Sequence, residues 1–92
     1  MQAIWNGVVI ADSDDTVIVE GNHYFPFDSI QEQYYSKTEL TTFCGWKGMA
    51  NYYSVTVNGK INKDCAWYYE TPNDAASKIK GMIAFWNGVD VK

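Results

Sequence analysis

Short segments in which apolar and polar residues alternate cover most of this chain, and residues that favour turns separate them. Alternation with a period of two predicts strands with one buried face, because successive side chains of a strand point to opposite sides. We expect extended segments at Ala3–Trp5, Val8–Ala11, Thr16–Glu20, His23–Phe25, Thr41–Phe43, Ala50–Val57, Lys60–Tyr69 and Met82–Trp86.

The turns between these segments are marked mainly by the dipeptide Asn-Gly, which occurs at Asn6-Gly7, Asn58-Gly59 and Asn87-Gly88. Both residues tolerate positive φ, so the pair is typical of the two-residue type I′ turn of a β-hairpin. The first and last dipeptides lie in similar Trp-Asn-Gly-Val sequences, which predicts a hairpin near each end of the chain. A further turn is expected at Gly21-Asn22.

Two segments have helical signals. Ser29 to Glu32 has the spacing of a capping box, and a second helix is expected from Thr71 to Lys80, with Pro72 at its first position and Gly81 after its end. The predicted fold is therefore mainly β (α+β). We expect the 92 residues to form one compact domain of hairpins in a curved sheet with one or two short helices.

Composition supports a β-rich core, since the chain has seven Tyr, four Trp and four Phe but a single leucine, Leu40. The net charge is −4 and no residue is Arg, which argues against binding to nucleic acid. No apolar run is long enough to span a membrane, and Gln2–Ile10 lacks the basic start and the apolar segment of a signal peptide, so we expect none. We therefore expect a cytoplasmic protein with no membrane partner, in which Cys44 and Cys65 are reduced.

The central hairpin places specific side chains on one face. If Asn58-Gly59 is a regular turn, Tyr52 lies opposite Cys65, Ala50 opposite Trp67, and Gly48 opposite Tyr69. Two small residues then face two large aromatic rings and leave a shelf, although a bulge near residues 62–64 would break this register. The shelf is either part of the core or an aromatic pocket for a ligand. The candidate ligand-binding residues are Lys47, Trp46, Trp67, Tyr69, Tyr24 and Tyr52.

The segment Cys44–Gly48 combines a thiol, an indole and a cation on one glycine-bracketed turn. Lys47 is a candidate to hold a ligand anion, or to act as a nucleophile if it is desolvated; a solvated lysine packed on Trp46 is the alternative. Cys44 would be a nucleophile if its pKa were lowered, with His23 as the base, and otherwise a buried inert thiol. Cys44, Lys47 and His23 are thus the candidate catalytic residues.

Metal and cofactor sites have little support. Cys44, Cys65 and His23 are the soft ligands, without a Cys-x-x-Cys pair or an obvious fourth donor. The glycine-rich phosphate loops and the Gly-x-Ser-x-Gly elbow do not occur. We expect no metal and no cofactor.

Several motifs together resemble the DUF427 family, small bacterial, cyanobacterial and fungal proteins of unassigned function. The resemblance runs almost end to end and rests on Trp5-Asn6-Gly7, Tyr24-Phe25-Pro26, Thr42–Gly48, Tyr52-Tyr53, Ala66–Tyr69 with Pro72, and Ala84-Phe85. It implies a compact β fold similar to the β-tent (Mss4-like) architecture.

Two positions depart from the family pattern. Gly45 stands where the family usually has Pro, which loosens the turn, and Cys65 stands where it more often has Ala, which favours a core role. The family also carries a nucleotidyltransferase-like label, but this chain has no Gly-Ser motif leading to paired carboxylates for a two-metal site.

Three functions remain open from the sequence. The leading hypothesis is a module that binds a small molecule or a peptide on the aromatic shelf, with Lys47 at its rim. The alternative is a small enzyme that uses Cys44 or Lys47 with His23 as base. A structural or interaction protein without a pocket is the third.

Overall fold

The computed structural model describes all residues from Met1 to Lys92 and is built mainly of β-strands, as predicted. The nine strands are β1 Gln2–Trp5, β2 Val8–Asp12, β3 Val17–Val19, β4 Asn22–Tyr24, β5 Tyr35–Cys44, β6 Gly48–Val57, β7 Lys60–Tyr68, β8 Ile83–Phe85 and β9 Asp90–Val91. None of the helical segments has the length and apolar character that crossing a bilayer requires.

The strands form three antiparallel sheets. The largest has the order β5-β6-β7-β8, a second has the order β2-β1-β9, and β3 and β4 form a separate hairpin. This β3–β4 hairpin is joined to the large sheet where Phe25, next to β4, exchanges two backbone hydrogen bonds with Ile83 of β8.

All three Asn-Gly dipeptides have positive φ at both residues, with Asn6 at 50°, Asn58 at 51° and Asn87 at 55°. The hairpins predicted at Asn6-Gly7 and Asn58-Gly59 are confirmed, since they join β1 to β2 and β6 to β7. The hairpin predicted at Asn87-Gly88 is wrong. Its flanking strands belong to different sheets, because β8 pairs with β7 whereas β9 pairs with β1.

The turn between β3 and β4 lies one residue earlier than predicted. Val19 pairs with Asn22, so Glu20 and Gly21 are the two turn residues, with φ of 53° and 81°. A glutamate is unusual here, because a side chain with a Cβ is disfavoured at positive φ and Asn tolerates it better. Glu20 therefore has the backbone conformation that Asn has in the other three turns.

The two predicted helices are replaced by short 3₁₀ helices, at Phe27–Ser29, Glu32–Tyr34 and Asp74–Ile79. The last begins after Asn73, not after Thr71, and its backbone departs from helical geometry at Ala76, with φ of −115°. Segments this short cannot sustain an α-helix by propensity alone. Instead Ala76 and Ile79 anchor the segment by packing into the core.

Strand β5 is longer than predicted. Only Thr41–Phe43 was expected to be extended, whereas the strand runs for ten residues from Tyr35 to Cys44. Most of its residues are exposed, so the sequence of this strand has no buried apolar face to reveal it. Pairing with β6 defines the strand, with an irregularity between Lys37 and Thr41.

The register predicted for β6 and β7 is interrupted by a bulge. Val57 faces Lys60 as expected, but beyond Val55 the pairing shifts by two residues, so that Tyr52 faces Trp67 instead of Cys65. Asp64, at the bulge, has φ of 55°. A shift of two residues preserves the face of each strand, so Tyr52 and Trp67 still lie on the same side.

The interior has two clusters of buried residues. The larger cluster has 13 members, among them Phe25, Tyr53 and Cys65, and the smaller has seven: Val19, Tyr24, Ala50, Tyr69, Ala76, Ile79 and Ala84. Burial raises the pKa of Cys65 to about 11, as expected for an unreactive thiol of the core. The smaller cluster supports the candidate site.

Candidate functional site

The turn between Cys44 and Gly48 is held in place by Asn73. Cys44 pairs with Gly48 across the β5–β6 turn, the backbone N–H of Asn73 donates to the Lys47 carbonyl at 2.9 Å, and its side-chain amide donates to the Gly45 carbonyl at 3.3 Å. The site thus depends on the segment before the third 3₁₀ helix.

Gly48 explains how closely these two segments approach. Its φ is +114°, and a Cβ at this position would lie 3.4 Å from the Asn73 nitrogen and 3.6 Å from the Pro72 Cα. The predicted role of Gly48, to leave room opposite Tyr69, is therefore wrong. The glycine is required by its left-handed backbone and by the neighbouring Pro72–Asn73 segment.

Lys47 is buried, with only 7% of its surface exposed, and it forms an ion pair with Glu20. The second carboxylate oxygen of Glu20 accepts a hydrogen bond from the Trp46 indole N–H at 3.4 Å. The β3–β4 turn therefore supplies the counter-ion of a lysine that lies 27 residues later in the sequence. No local motif indicates this pair, so the sequence alone did not predict it.

The ion pair keeps Lys47 charged. Burial by itself would lower the pKa of Lys47, but the hydrogen bond to Glu20, with smaller contributions from Tyr24 and Tyr69, raises that pKa to about 12. The same hydrogen bond, followed by the one from Trp46, lowers the pKa of Glu20. Lys47 is consequently an ammonium at neutral pH, so it is a hydrogen-bond donor and not a free amine nucleophile.

Aromatic rings surround the ammonium. Lys47 Nζ lies 5.5 Å from the centroid of the Trp46 ring and 5.6 Å from that of Tyr69, both within the range of a cation–π interaction. The faces of these rings partly replace the water that the ammonium loses on burial. The Glu20 carboxylate and these two rings together therefore accommodate the buried cation.

Tyr24 holds the Trp67 ring in position through a hydrogen bond and an edge-to-face contact. The Trp67 indole N–H donates to the Tyr24 hydroxyl at 3.1 Å, and the two rings pack edge to face with their centroids 6.3 Å apart. Tyr24 is fully buried, and burial raises its pKa. Of the two predicted site residues, Trp67 therefore presents a surface to solvent, whereas Tyr24 holds that surface in position.

An open cleft of about 270 Å³ runs over these rings. It is lined by Lys47, Tyr52, Trp67, Tyr69 and Trp86. Tyr52 is held by a 3.0 Å hydrogen bond between its hydroxyl and that of Thr42 on β5. Four of the six predicted ligand-binding residues thus meet in one cleft, whereas Tyr24 supports Trp67 and Trp46 contacts Lys47 without lining the cleft.

Trp86 is the lining residue that the sequence interpretation missed. Its ring is 54% exposed, and its indole N–H donates at 2.7 Å to the backbone carbonyl of Asp64, the residue at the β7 bulge. The bulge thus positions this ring, which explains why a regular register did not place it.

The candidate base and thiol are placed differently. His23 is bonded through Nδ1 to the Thr16 hydroxyl at 2.9 Å, and its side chain points to the face of β4 opposite Tyr24, away from the cleft. Cys44 is half-buried and packs against the smaller cluster, near Lys47. His23 is therefore not brought to either candidate nucleophile. Cys44, Cys65 and His23 do not form a cluster able to hold a metal ion.

Comparison with known proteins identifies the family. The family model described as "Domain of unknown function (DUF427)" matches residues 1–92, and the chain therefore belongs to this family, as its motifs indicated. No curated protein matches the chain.

Proposed function

We propose that this protein binds a small molecule in the cleft formed by Lys47, Tyr52, Trp67, Tyr69 and Trp86. The single observation that carries the proposal is that a buried, charged lysine lines an open cleft whose other walls are all aromatic. Apolar walls with a few fixed polar groups are typical of small-molecule sites.

The roles of the lining residues follow from their contacts. The exposed ring of Trp86 and the supported ring of Trp67 offer flat surfaces for a planar or ring-shaped ligand. Lys47 supplies a hydrogen-bond donor whose position is fixed by Glu20. The ligand would therefore stack on the rings and direct a polar atom to Lys47.

The size of the cleft favours a small molecule over a peptide. A volume of about 270 Å³ is at the lower limit of ligand pockets in proteins. It suits one ring system with short substituents, whereas an extended peptide would need a longer groove. The peptide alternative is therefore the weaker form of the binding hypothesis.

The proposal is tested by following the four Trp indole N–H signals by NMR while a library of small ring compounds is added. We expect ligands that shift Trp67 and Trp86 and leave Trp5 unchanged. Trp86→Ala should weaken their binding about tenfold through lost stacking. Phe43→Ala is the control, since this 73% exposed ring lies outside the cleft.

Lys47→Met tests the polar part of the site while retaining most of the apolar stem. We expect this variant to lose affinity for ligands with a hydrogen-bond acceptor. If Trp86→Ala and Lys47→Met both leave every ligand response unchanged, or if no compound shifts Trp67 or Trp86, the proposed site is wrong.

A further inference from the structure

The hydrogen bonds of Lys47 leave capacity for a ligand. An ammonium has three N–H donors. A carboxylate oxygen of Glu20 accepts from one of them, and the Tyr69 hydroxyl is a second, weaker partner, which leaves one donor. On its other sides the ammonium faces the rings of Trp46 and Tyr69, and Lys47 also lines the cleft. A hydrogen-bond acceptor in the cleft would therefore find an N–H group to bind.

The charge of Lys47, in contrast, is already neutralised. Both oxygens of the Glu20 carboxylate are engaged, one with the Lys47 ammonium and one with the Trp46 indole. A ligand that approaches Lys47 thus meets a neutral pair and not a free cation. The cleft offers a donor without offering a net positive charge.

The position of Glu20 in its turn indicates that its carboxylate is needed there. Glu20 adopts φ of 53°, whereas the three other turns of this conformation have Asn6, Asn58 and Asn87 at the equivalent place. Asn tolerates this backbone better than Glu does. The less favourable residue is the one that reaches Lys47, which points to a role for its charge.

We propose that Glu20 determines the charge class of the ligand, so that the cleft accepts a neutral ring compound with a hydrogen-bond acceptor and rejects a carboxylate. The acceptor would be an amide, ketone or hydroxyl oxygen. This inference rests on the proposed function, because it assigns a ligand class to the same cleft.

The physical reason is repulsion between like charges. A ligand carboxylate bonded to Lys47 would lie within the ~4–6 Å over which a second carboxylate is disfavoured, and the protein already has a net charge of −4. A neutral acceptor forms the same hydrogen bond without this cost. Removal of the Glu20 charge should therefore convert the cleft to one that prefers anions.

The test uses benzamide and benzoate, which share a ring and differ in charge. Each is titrated at millimolar concentration while the Trp67 and Trp86 indole signals are followed by NMR, with Trp5 as the internal reference. For the wild type we expect tighter binding of benzamide. For Glu20→Gln we expect a reversed preference, with benzoate bound about tenfold more tightly than by the wild type.

Two further variants make the result specific. Glu20→Asn removes the same charge with a residue suited to the turn, so it serves if Glu20→Gln fails to fold, and it should give the same reversal. Glu32→Gln removes one negative charge from a short helix outside this cleft and should leave the preference as in the wild type.

The outcomes separate this inference from the proposed function. If benzamide shifts Trp67 and Trp86 but the preference is unchanged in Glu20→Gln and Glu20→Asn, the role of Glu20 is refuted and the cleft remains a binding site. Equal binding of both probes by the wild type also refutes it. If neither probe affects these signals in any variant, both proposals fail.

Discussion

The two clusters of buried residues use aromatic rings in different ways. In the larger one the rings pack against each other and against aliphatic side chains, as Phe25 does on Phe85 at 5.4 Å and Tyr53 on Tyr68 at 4.6 Å. At the smaller one, its member Tyr69 and the more exposed Trp46 both lie close to the Lys47 ammonium, and Trp67, which packs against the cluster, lines an open cleft. The same residue types thus fill one region and line an open cleft beside the other.

Charge distinguishes the two regions further. Neither cluster includes a charged residue, and in the larger one burial raises the pKa of Tyr53 to about 12, so that its phenol stays neutral. Beside the smaller cluster, Lys47 and Glu20 form an ion pair, and Glu20 is about half exposed. The first region therefore contributes stability, and the second is the region in which we propose that a ligand binds.

The largest expected effect is from Phe25→Ala in the larger cluster. Phe25 is fully buried, so its truncation should lower the free energy of unfolding by about 3–5 kcal/mol. Trp86→Ala, in the cleft, should lower it by only about 1 kcal/mol, because half of that ring is exposed. Urea denaturation of both variants measures the difference, and similar losses would contradict the separation of the two regions.

Gly48→Ala should lower the free energy of unfolding by a smaller amount, about 2–3 kcal/mol. The substitution forces a side chain to φ of +114° and places its Cβ 3.4 Å from the backbone nitrogen of Asn73. Gly59→Ala is the matched control, because that glycine also has positive φ but has no atom within 4 Å of the added Cβ. Gly59→Ala should lower the free energy of unfolding by about 1 kcal/mol.

Comparison of these two variants distinguishes the effect of backbone strain, which both share, from that of the steric contact, which only Gly48→Ala creates. If denaturation gives equal losses for Gly48→Ala and Gly59→Ala, contact with the Pro72–Asn73 segment contributes nothing. If Gly48→Ala is worse and also alters the Trp46 indole signal, the contact positions the candidate site as well as stabilising it.

The sequence predicts the local parts of the fold better than its long-range parts. The conformations of Asn6-Gly7 and Asn58-Gly59, and the hairpins around them, follow from two adjacent residues. The partner of β9 does not, because strand β1 lies at the other end of the chain. The β7 bulge was an alternative that the sequence left open near residues 62–64, and the structure has it, with Asp64 at positive φ.

In the candidate site, too, the residues determined by local sequence were predicted and those positioned by long-range contacts were not. Lys47, Trp67 and Tyr69 were predicted, because they lie in one turn and one hairpin whose faces survive a two-residue shift. Glu20 and Trp86 were missed because their contacts join distant segments. Glu20 reaches Lys47 from another hairpin, and Trp86 is positioned by the carbonyl of the bulge.

The Lys47–Glu20 pair predicts a dependence on pH. The folded-state pKa of Glu20 is lowered by its bond to Lys47, so the ionised carboxylate contributes stability above the ordinary glutamate pKa of about 4.3. This contribution is lost as the pH falls through the lower folded-state pKa. Glu20→Gln should therefore be less stable than the wild type at pH 7, and the gap should narrow as the pH falls towards 3.

Urea denaturation of both proteins across this range measures the gap, with Glu32→Gln as the control. A gap of constant size would show that Glu20 acts through its shape and not through its charge. Lys47 gives no competing signal here, because its pKa is raised to about 12 and it remains protonated throughout the range.

The smallest expected effect compares two variants of the same turn. Glu20→Asn and Glu20→Gln both remove the charge next to Lys47, but Asn is better suited to φ of 53°, as Asn6, Asn58 and Asn87 show. Glu20→Asn should therefore have the higher urea midpoint at pH 3, where the charge of Glu20 contributes least. At that pH it should also match or exceed the wild type. A midpoint below that of Glu20→Gln would mean that the longer side chain, and not the backbone conformation, governs this turn, and that Glu20 is retained for its reach towards Trp46 and Lys47.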